Sequence, residues 1–254
     1  MRALVLIVAL GAVAGASASP RHEAFDLETA RTLRPGAVTI GVFAPLRWGV
    51  SETVELSTHP LWNLLIPNVA AKFALPGSSD WDVALEFGLT HPTPLLHVLS
   101  KEGTGGVLPA DASVPDLVTL DVRALFTYRI SRHHALTLRF GGRSAEAFGP
   151  RRFPTIDYPF AYGPTAPYVV GFAMDGTVAV TGRLVGSLYY RADLTAYVIP
   201  RPEGPLTLEH SAAAYYRFGE HWQAKLGYKV VFGKMPYGDD LTPPLPMLDL
   251  EYAF

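Results

Sequence analysis

The sequence predicts an all-β fold, an up-and-down barrel of about twelve antiparallel strands. Segments of about ten residues, in which apolar and polar residues alternate, recur along the chain, and each is followed by a turn signal. Mean hydropathy is +0.18 and only 17% of the 254 residues are charged, which is apolar for a water-soluble protein. Yet beyond residue 18 no apolar run approaches the roughly 20 residues of a membrane-spanning helix. Apolar residues spread singly along strands suit a transmembrane β-barrel, whose outer face contacts lipid.

The N-terminus predicts a cleaved secretory signal peptide over residues 1–18. A positive residue is followed by an apolar stretch and by small residues at Ala16 and Ala18, which fits cleavage before Ser19. The apolar stretch is too short for a transmembrane helix. Residues 19–254 therefore form the predicted barrel domain. Because the chain has no cysteine, disulfides, thiolate metal sites and a lipoprotein anchor are excluded.

The alternation places eleven strands in the mature chain. Asp175-Gly176 is a typical hairpin signal, but the alternation passes through it in phase, so we expect one continuous strand there. The predicted strands cover residues 38–46, 54–57, 69–75, 81–89, 118–128, 136–140, 168–180, 188–198, 206–216, 222–232 and 248–254.

The connections predict which end of the barrel faces the periplasm. Short turns fall on one side, at 49–52, 76–80, 131–134, 181–186 and 219–221, and longer connections on the other, at 59–66, 91–115, 147–164, 201–205 and 234–244. Short periplasmic turns and long outer loops are typical of outer-membrane barrels, which have an even strand number and both termini in the periplasm. We therefore expect a twelfth strand over Phe25–Leu33, with Arg34-Pro35-Gly36 as its turn, and ten strands if the weak early ones fail.

The C-terminus ends on a strand with one apolar face. Leu248, Leu250, Tyr252 and Phe254 point one way and Asp249 and Glu251 the other. This ending resembles the C-terminal signature of bacterial outer-membrane β-barrels. The resemblance implies an integral outer-membrane protein of a Gram-negative bacterium, in contact with lipid and lipopolysaccharide. It also implies that the assembly machinery reads Leu250, Tyr252 and Phe254. It extends to the superfamily and not to a characterised family.

Aromatic residues lie beside the short turns, where an interfacial girdle is expected. These residues are Trp81, Tyr128, Tyr216, Phe218 and Trp222.

The predicted lumen face carries as many acids as bases. A selective pore is expected to line itself with a surplus of one sign, whereas a balanced set indicates cross-strand ion pairs that fill the lumen. The nine acids are Glu55, Asp82, Glu86, Asp121, Asp175, Asp193, Glu209, Asp249 and Glu251, and the nine bases are Lys72, Arg123, Arg129, Arg139, Arg143, Arg191, Arg217, Lys225 and Lys229.

No catalytic arrangement is predicted. His210 and Ser211 are adjacent, so on a strand they point to opposite faces and neither activates the other. Asp239-Asp240 in the last outer connection resemble half of a protease or metal site at the outer rim, but such acids are usually turn residues. Histidines that would complete this site lie on other loops, namely His59, His91 and His97. We expect no enzymatic activity, cofactor or metal. The formal charge of −2 gives no basic excess for nucleic acid.

The connection from His91 to Pro115 is the one irregular segment long enough to act on the lumen. Its leucines at 95, 96 and 99 fit one or two turns of helix. Such a helix would constrict the lumen, lie in the membrane interface or pack its own leucines.

Three functions remain open from the sequence. The first is a structural or small porin-like barrel with a charge-paired lumen. The second is an outer-membrane hydrolase with a rim site, and the third a soluble periplasmic barrel that binds an apolar ligand. The terminal Phe254 and the loop asymmetry favour the first.

Overall fold

The computed structural model describes residues 23, 25, 27–103, 107–156, 158–236 and 238–254, so the predicted signal peptide lies outside the described residues. Strands account for most of this part of the chain. They are β1 (Val38–Gly41), β2 (Leu46–Gly49), β3 (Val54–Thr58), β4 (Asn68–Leu75), β5 (Trp81–Thr90), β6 (Asp116–Arg129), β7 (His134–Phe148), β8 (Phe172–Val185), β9 (Leu188–Val198), β10 (Leu206–Phe218), β11 (Trp222–Met235), β12 (Gly238–Leu241) and β13 (Leu245–Ala253). The helices are α1 (Thr93–Leu99), α2 (Pro159–Val170) and a 3-10 turn at Trp62–Leu64. None of the helices described is long and apolar enough to cross a membrane.

The strands form one closed antiparallel barrel. Each strand from β1 to β11 pairs with its sequence neighbour, and β13 closes the sheet by pairing with both β11 and β1. β12 pairs with β11 just beyond β13, so β12 and β13 together form one wall strand, interrupted at residues 242–244. The barrel therefore has twelve wall strands, as predicted.

The first two wall strands differ from those predicted. Phe25–Leu33 is not a strand of the wall but lies inside the barrel. The predicted strand 38–46 instead divides into β1 and β2, which form a short hairpin. Pro45 stands immediately before β2, and its missing N–H removes a hydrogen bond that an unbroken strand would need. The count of twelve was thus correct, but its first members were assigned wrongly.

Two further expectations need correction. Residues 168–170, predicted as the start of a strand, belong to α2, whose prolines at 159, 164 and 167 cannot donate to a β-ladder. α2 ends at Gly171, which has the left-handed conformation (φ 89°) common at helix C-termini. The predicted outer connection 234–244 is instead largely strand, because β11 extends to Met235 and β12 follows. β8 runs unbroken through Asp175-Gly176, as expected.

The two ends of the barrel differ in their connections. At one end, called the turn end here, short connections lie at 50–53, 76–80, 130–133, 186–187 and 219–221. At the other, the loop end, longer ones lie at 59–67, 91–115, 149–171 and 199–205. This is the asymmetry that the sequence predicted.

Apolar side chains cover the outside of the barrel. Leu194 and Leu226 are exposed, whereas Thr195, which follows Leu194 in β9, is buried inside. The five predicted girdle aromatics are all exposed near the turn end, where Trp81 packs against Tyr128 with ring centroids 5.0 Å apart. Trp222 and Phe254 both pack edge-on against Tyr252 at 4.7 Å. The exterior therefore has an apolar belt with an aromatic ring along one edge, as a lipid-facing surface requires.

We expect Leu226→Arg to destabilise the protein by about 2–4 kcal/mol in a bilayer, because Leu226 is 63% exposed on the apolar belt and a cation at mid-membrane depth is poorly solvated. Ala70→Arg is the matched control, since Ala70 lines a lumen cavity that also contains Glu86 and Asp121. Urea unfolding in lipid vesicles measures both variants. Equal costs would contradict the assignment of the outer face.

Candidate functional site

The N-terminal segment, defined here as the described residues between 23 and 33, lies in the lumen. Phe25 is 2% exposed and Leu33 is fully buried. The Glu23 N–H donates to the Thr32 carbonyl at 3.0 Å, so the two ends of the segment meet and it forms a compact loop. The segment therefore occupies part of the barrel interior as a folded plug.

Side chains of the barrel wall satisfy the backbone of this segment. The Lys72 ammonium donates to the carbonyls of Thr29 and Arg31, both at 3.3 Å. Arg191 donates to the Leu27 carbonyl at 2.6 Å. The Ala30 N–H donates to the Thr127 hydroxyl at 2.9 Å. A buried backbone outside any sheet needs such partners, and here three side chains, from β4, β6 and β9, make four of these bonds.

Ion pairs between the segment and the wall reinforce this arrangement. Glu28 lies between Arg139 at 3.0 Å and Arg191 at 3.2 Å. Arg31 binds Asp82 at 2.9 Å. The Arg191 guanidinium, assisted by Arg139, holds the pKa of the Glu28 carboxyl well below its usual range. Glu28 also has φ 54°, a rare conformation for a residue other than glycine, which the surrounding contacts must hold in place.

The most buried charges of the wall form a second contact with the segment. Arg47 donates to both carboxylate oxygens of Glu55, at 2.8 and 2.7 Å, and the Lys72 ammonium lies 3.6 Å from the same carboxylate. The Leu33 N–H donates to Glu55 at 2.8 Å. The side chains of Arg47 and Glu55 are 2% and 3% exposed. Glu55 thus joins β2, β3, β4 and the segment in one hydrogen-bonded group.

Several predicted lumen charges meet each other directly. Arg123 binds Glu86 at 3.1 Å and Asp121 at 2.9 Å, and Arg143 binds the same Asp121 at 2.7 Å. Three more contacts join predicted charges: Arg191–Asp193 at 2.8 Å, Lys229–Glu209 at 2.8 Å and Arg123–Asp175 at 3.8 Å.

Other predicted lumen charges take different partners. Asp82 binds Arg31 of the segment, and Arg139 binds Glu28. The Arg217 guanidinium stacks over the Tyr189 ring at 3.9 Å. The remaining contacts are Lys225 over the Tyr215 ring at 5.7 Å, Gln223 to Glu251 at 3.4 Å, and the Phe43 N–H to Asp249 at 3.0 Å. Arg47, Glu28 and Arg31 were not predicted as lumen charges.

The segment separates two lumen cavities. The loop-end vestibule has a volume of about 640 Å³, and its lining includes Glu28, Arg47 and Lys72. The turn-end vestibule has a volume of about 350 Å³, and its lining includes Leu27 and Arg31. Among the residues that the structure describes, none lines both cavities. The segment thus lies between the two cavities, with Glu28 lining one and Leu27 and Arg31 lining the other.

α2 narrows the lumen at the loop end. Its residues Tyr162 and Ala166 pack in one cluster with Val231 and Met235 of β11. A Cβ atom at Gly163 would come within 2.7 Å of the Tyr197 ring of β9, so the helix lies directly against the wall. The constriction comes from the second long loop and not from the one that begins at His91.

α1 forms where the leucines of the first long loop predicted a helix. Its Leu96 is fully buried, in one cluster with Leu117, Phe153 and Tyr168. Of the three alternatives left open for this loop, packing of its own leucines is the one observed. The cluster joins both long loops in a single cap.

The residues considered for catalysis are dispersed. The His210 ring lies against Tyr228 and the Asp193 carbonyl, whereas Ser211 donates inward to the Asp193 carboxylate at 2.9 Å. His91 lies 3.9 Å from Asp116. No group of three potential metal ligands occurs in the part of the chain that the structure describes. The side chains of Asp239 and Asp240 lie outside that part.

Comparisons with known proteins give likeness in fold only. No protein-family model matches the chain, and no curated protein matches its sequence. Among solved structures, an outer-membrane OmpT of Vibrio cholerae is similar with a TM-score of 0.44 and 7% identity, over 83% of this chain and 65% of that one. The outer-membrane channel DcaP of Acinetobacter baumannii is similar with a TM-score of 0.41 and 10% identity, over 83% and 62%. The CymD monoaromatic hydrocarbon channel has a TM-score of 0.41 and 8% identity, over 85% and 73%.

The chain thus spans less than two thirds of the first two of these proteins, and likenesses this distant carry no inference about activity. The class of protein follows from the fold itself. A closed antiparallel barrel with an apolar belt outside and charged residues inside is a transmembrane β-barrel. An apolar exterior of this kind contradicts the soluble barrel, which would place its apolar face inside.

Proposed function

We propose that the chain is an integral outer-membrane barrel of a Gram-negative bacterium that acts as a narrow, porin-like conduit for small polar solutes. Its turn end faces the periplasm and its loop end the outside, as is usual for such barrels. The N-terminal segment keeps the conduit closed at rest. Transport occurs when the segment leaves its position or shifts within the lumen.

One observation carries this proposal, the pair of vestibules on either side of the segment. A structural barrel has no need of cavities of about 640 and 350 Å³ that are lined by charged side chains and open toward opposite ends. Hydrogen bonds and ion pairs from Lys72, Arg139 and Arg191 hold the segment, and these contacts can exchange with water. Such a segment fits a closure that is reversible.

Location is tested by fractionation. We expect the mature protein in the outer-membrane fraction, soluble only in detergent, and faster on a gel when unboiled than when boiled, because a closed barrel resists unfolding by detergent. Recovery of folded protein from the soluble periplasmic fraction would overturn the membrane assignment.

The predicted partners belong to the same proposal. Outer-membrane lipid and lipopolysaccharide contact the apolar belt, and the assembly machinery reads Leu250, Tyr252 and Phe254. Phe254 is exposed at the aromatic edge of the belt, where a receptor can reach it.

A further inference from the structure

The turn-end vestibule is unusually basic. Among the described residues, arginines from five parts of the fold line it, whereas the one acidic lining residue is Glu23. Arg129, Arg183 and Arg217 lie at the turn ends of β6, β8 and β10. Arg132 lies in the 130–133 turn, and Arg31 comes from the N-terminal segment. His133 and His134 also line the vestibule. Acids of other short turns, Glu52, Asp80 and Glu220, are not part of the lining.

Most of these arginines lack a carboxylate partner. Arg31 is neutralised by Glu23 at 3.3 Å and Asp82 at 2.9 Å. Arg217 donates to the neutral Gln223 at 3.0 Å, and Arg183 donates to the Gly186 carbonyl at 2.5 Å. Within the described part of the chain, no carboxylate lies within 4.0 Å of Arg129, Arg132, Arg183 or Arg217. Deeper in the lumen, by contrast, Arg47, Arg123 and Arg191 each bind an acid.

Four uncompensated guanidinium groups around one concavity repel each other, and a multivalent anion would relieve that repulsion. Guanidinium groups bind phosphate and carboxylate through paired, charge-assisted hydrogen bonds. A cavity of about 350 Å³ has room for a small solute of this kind and not for a folded domain.

We propose that the turn-end vestibule is a binding site for a small multivalent oxyanion, held by Arg129, Arg132, Arg183 and Arg217. The ligand is either a phosphorylated solute or a polycarboxylate, because both present several anionic oxygens to arginine. This site goes beyond the proposed conduit and does not depend on it, since binding is measurable in detergent without a membrane. A protein that conducts but does not bind the anion, or binds it but does not conduct, would therefore contradict only one of the two proposals.

The test is calorimetric titration of the purified full chain in detergent, at low ionic strength, with inorganic pyrophosphate and separately with citrate. We expect saturable binding of at least one probe. The double variant Arg129→Gln/Arg132→Gln should weaken it by about tenfold or more, since it removes two of the four guanidinium groups that donate charge-assisted hydrogen bonds to the anion. The probe that binds with the higher affinity identifies the ligand as a phosphate or a polycarboxylate.

The control is Arg152→Gln/Arg201→Gln, which removes the same charge at the loop end and should change the affinity by no more than about twofold. If the double turn-end variant does not fold, Arg132→Gln alone serves, because Arg132 is exposed in a turn. Absence of binding by the wild type for both probes would overturn the proposal. An equal loss of affinity in the control variant would also overturn it, because it would indicate that the anion responds only to the net charge of the protein.

Discussion

Deletion of residues 23–33 should change a barrel with little or no conductance into one with a clearly resolved open-channel current. The deleted segment is the material that separates the two vestibules. A twelve-stranded barrel encloses more space than the eight-stranded barrels that wall side chains fill completely. Without the segment, the lumen is therefore continuous past α2. Single-channel recording in a planar bilayer measures the effect.

A point variant separates release of the segment from a change in chain length. Glu28→Arg places a third cation between Arg139 and Arg191, so the segment should be repelled and conductance should again rise. Glu203→Arg is the matched control, because Glu203 makes its ion pair with Arg201 in an outer loop. Wild-type conductance as large as that of the deletion, or equal effects of the two point variants, would show that the segment does not close the lumen.

Glu55→Ala should destabilise the barrel by about 3–5 kcal/mol, because it leaves the Arg47 guanidinium buried without its carboxylate. The Leu33 N–H loses its acceptor as well, which weakens the end of the N-terminal segment. Urea unfolding in detergent micelles, followed by tryptophan fluorescence, measures the change.

The control for Glu55 is Glu203→Ala, which breaks an ion pair at a largely exposed carboxylate and should cost about 0–1 kcal/mol. The Glu55 variant should also conduct more than the wild type, since its segment is held less firmly. A cost near that of the control would mean that water already solvates Arg47 and Glu55 in the folded protein.

Most of the barrel wall was predictable from the sequence because lipid and lumen impose opposite demands on alternate residues. Leu194 and Thr195 illustrate this, since one is exposed to the surroundings and the other buried inside. The same rule misassigned 25–33. That segment also alternates, but it lies inside the barrel wall, and its backbone partners Lys72 and Arg191 lie 41 and 164 residues away from their acceptors. The alternation of neighbouring residues cannot predict contacts between residues so far apart in sequence.

The sequence predicted which charged residues face the lumen more reliably than it predicted their ion-pair partners. The inward positions of Arg123, Glu86 and Asp121 follow from alternation, and their contacts follow from the register of β5 and β6. Arg47 was missed because it lies in β2, one residue beyond the predicted strand 38–46 that Pro45 divides. The prolines of α2 were a signal against a strand at 168–170 that the apolar alternation outweighed.

The position of the N-terminal segment in the membrane-inserted barrel can be measured directly, because the chain has no native cysteine to interfere. The Ala30 N–H lies 2.9 Å from the Thr127 hydroxyl, so the two Cα atoms are close to the roughly 4.4–6.8 Å that a disulfide needs. We therefore expect Ala30→Cys/Thr127→Cys to form an intramolecular disulfide in outer-membrane vesicles and to stay nonconducting until it is reduced. Ala30→Cys/Tyr128→Cys, with the second cysteine on the outer face of the same strand, should not cross-link. No disulfide in the first pair, with Ala30→Cys open to bulky thiol reagents, would contradict a lumen closed by this segment.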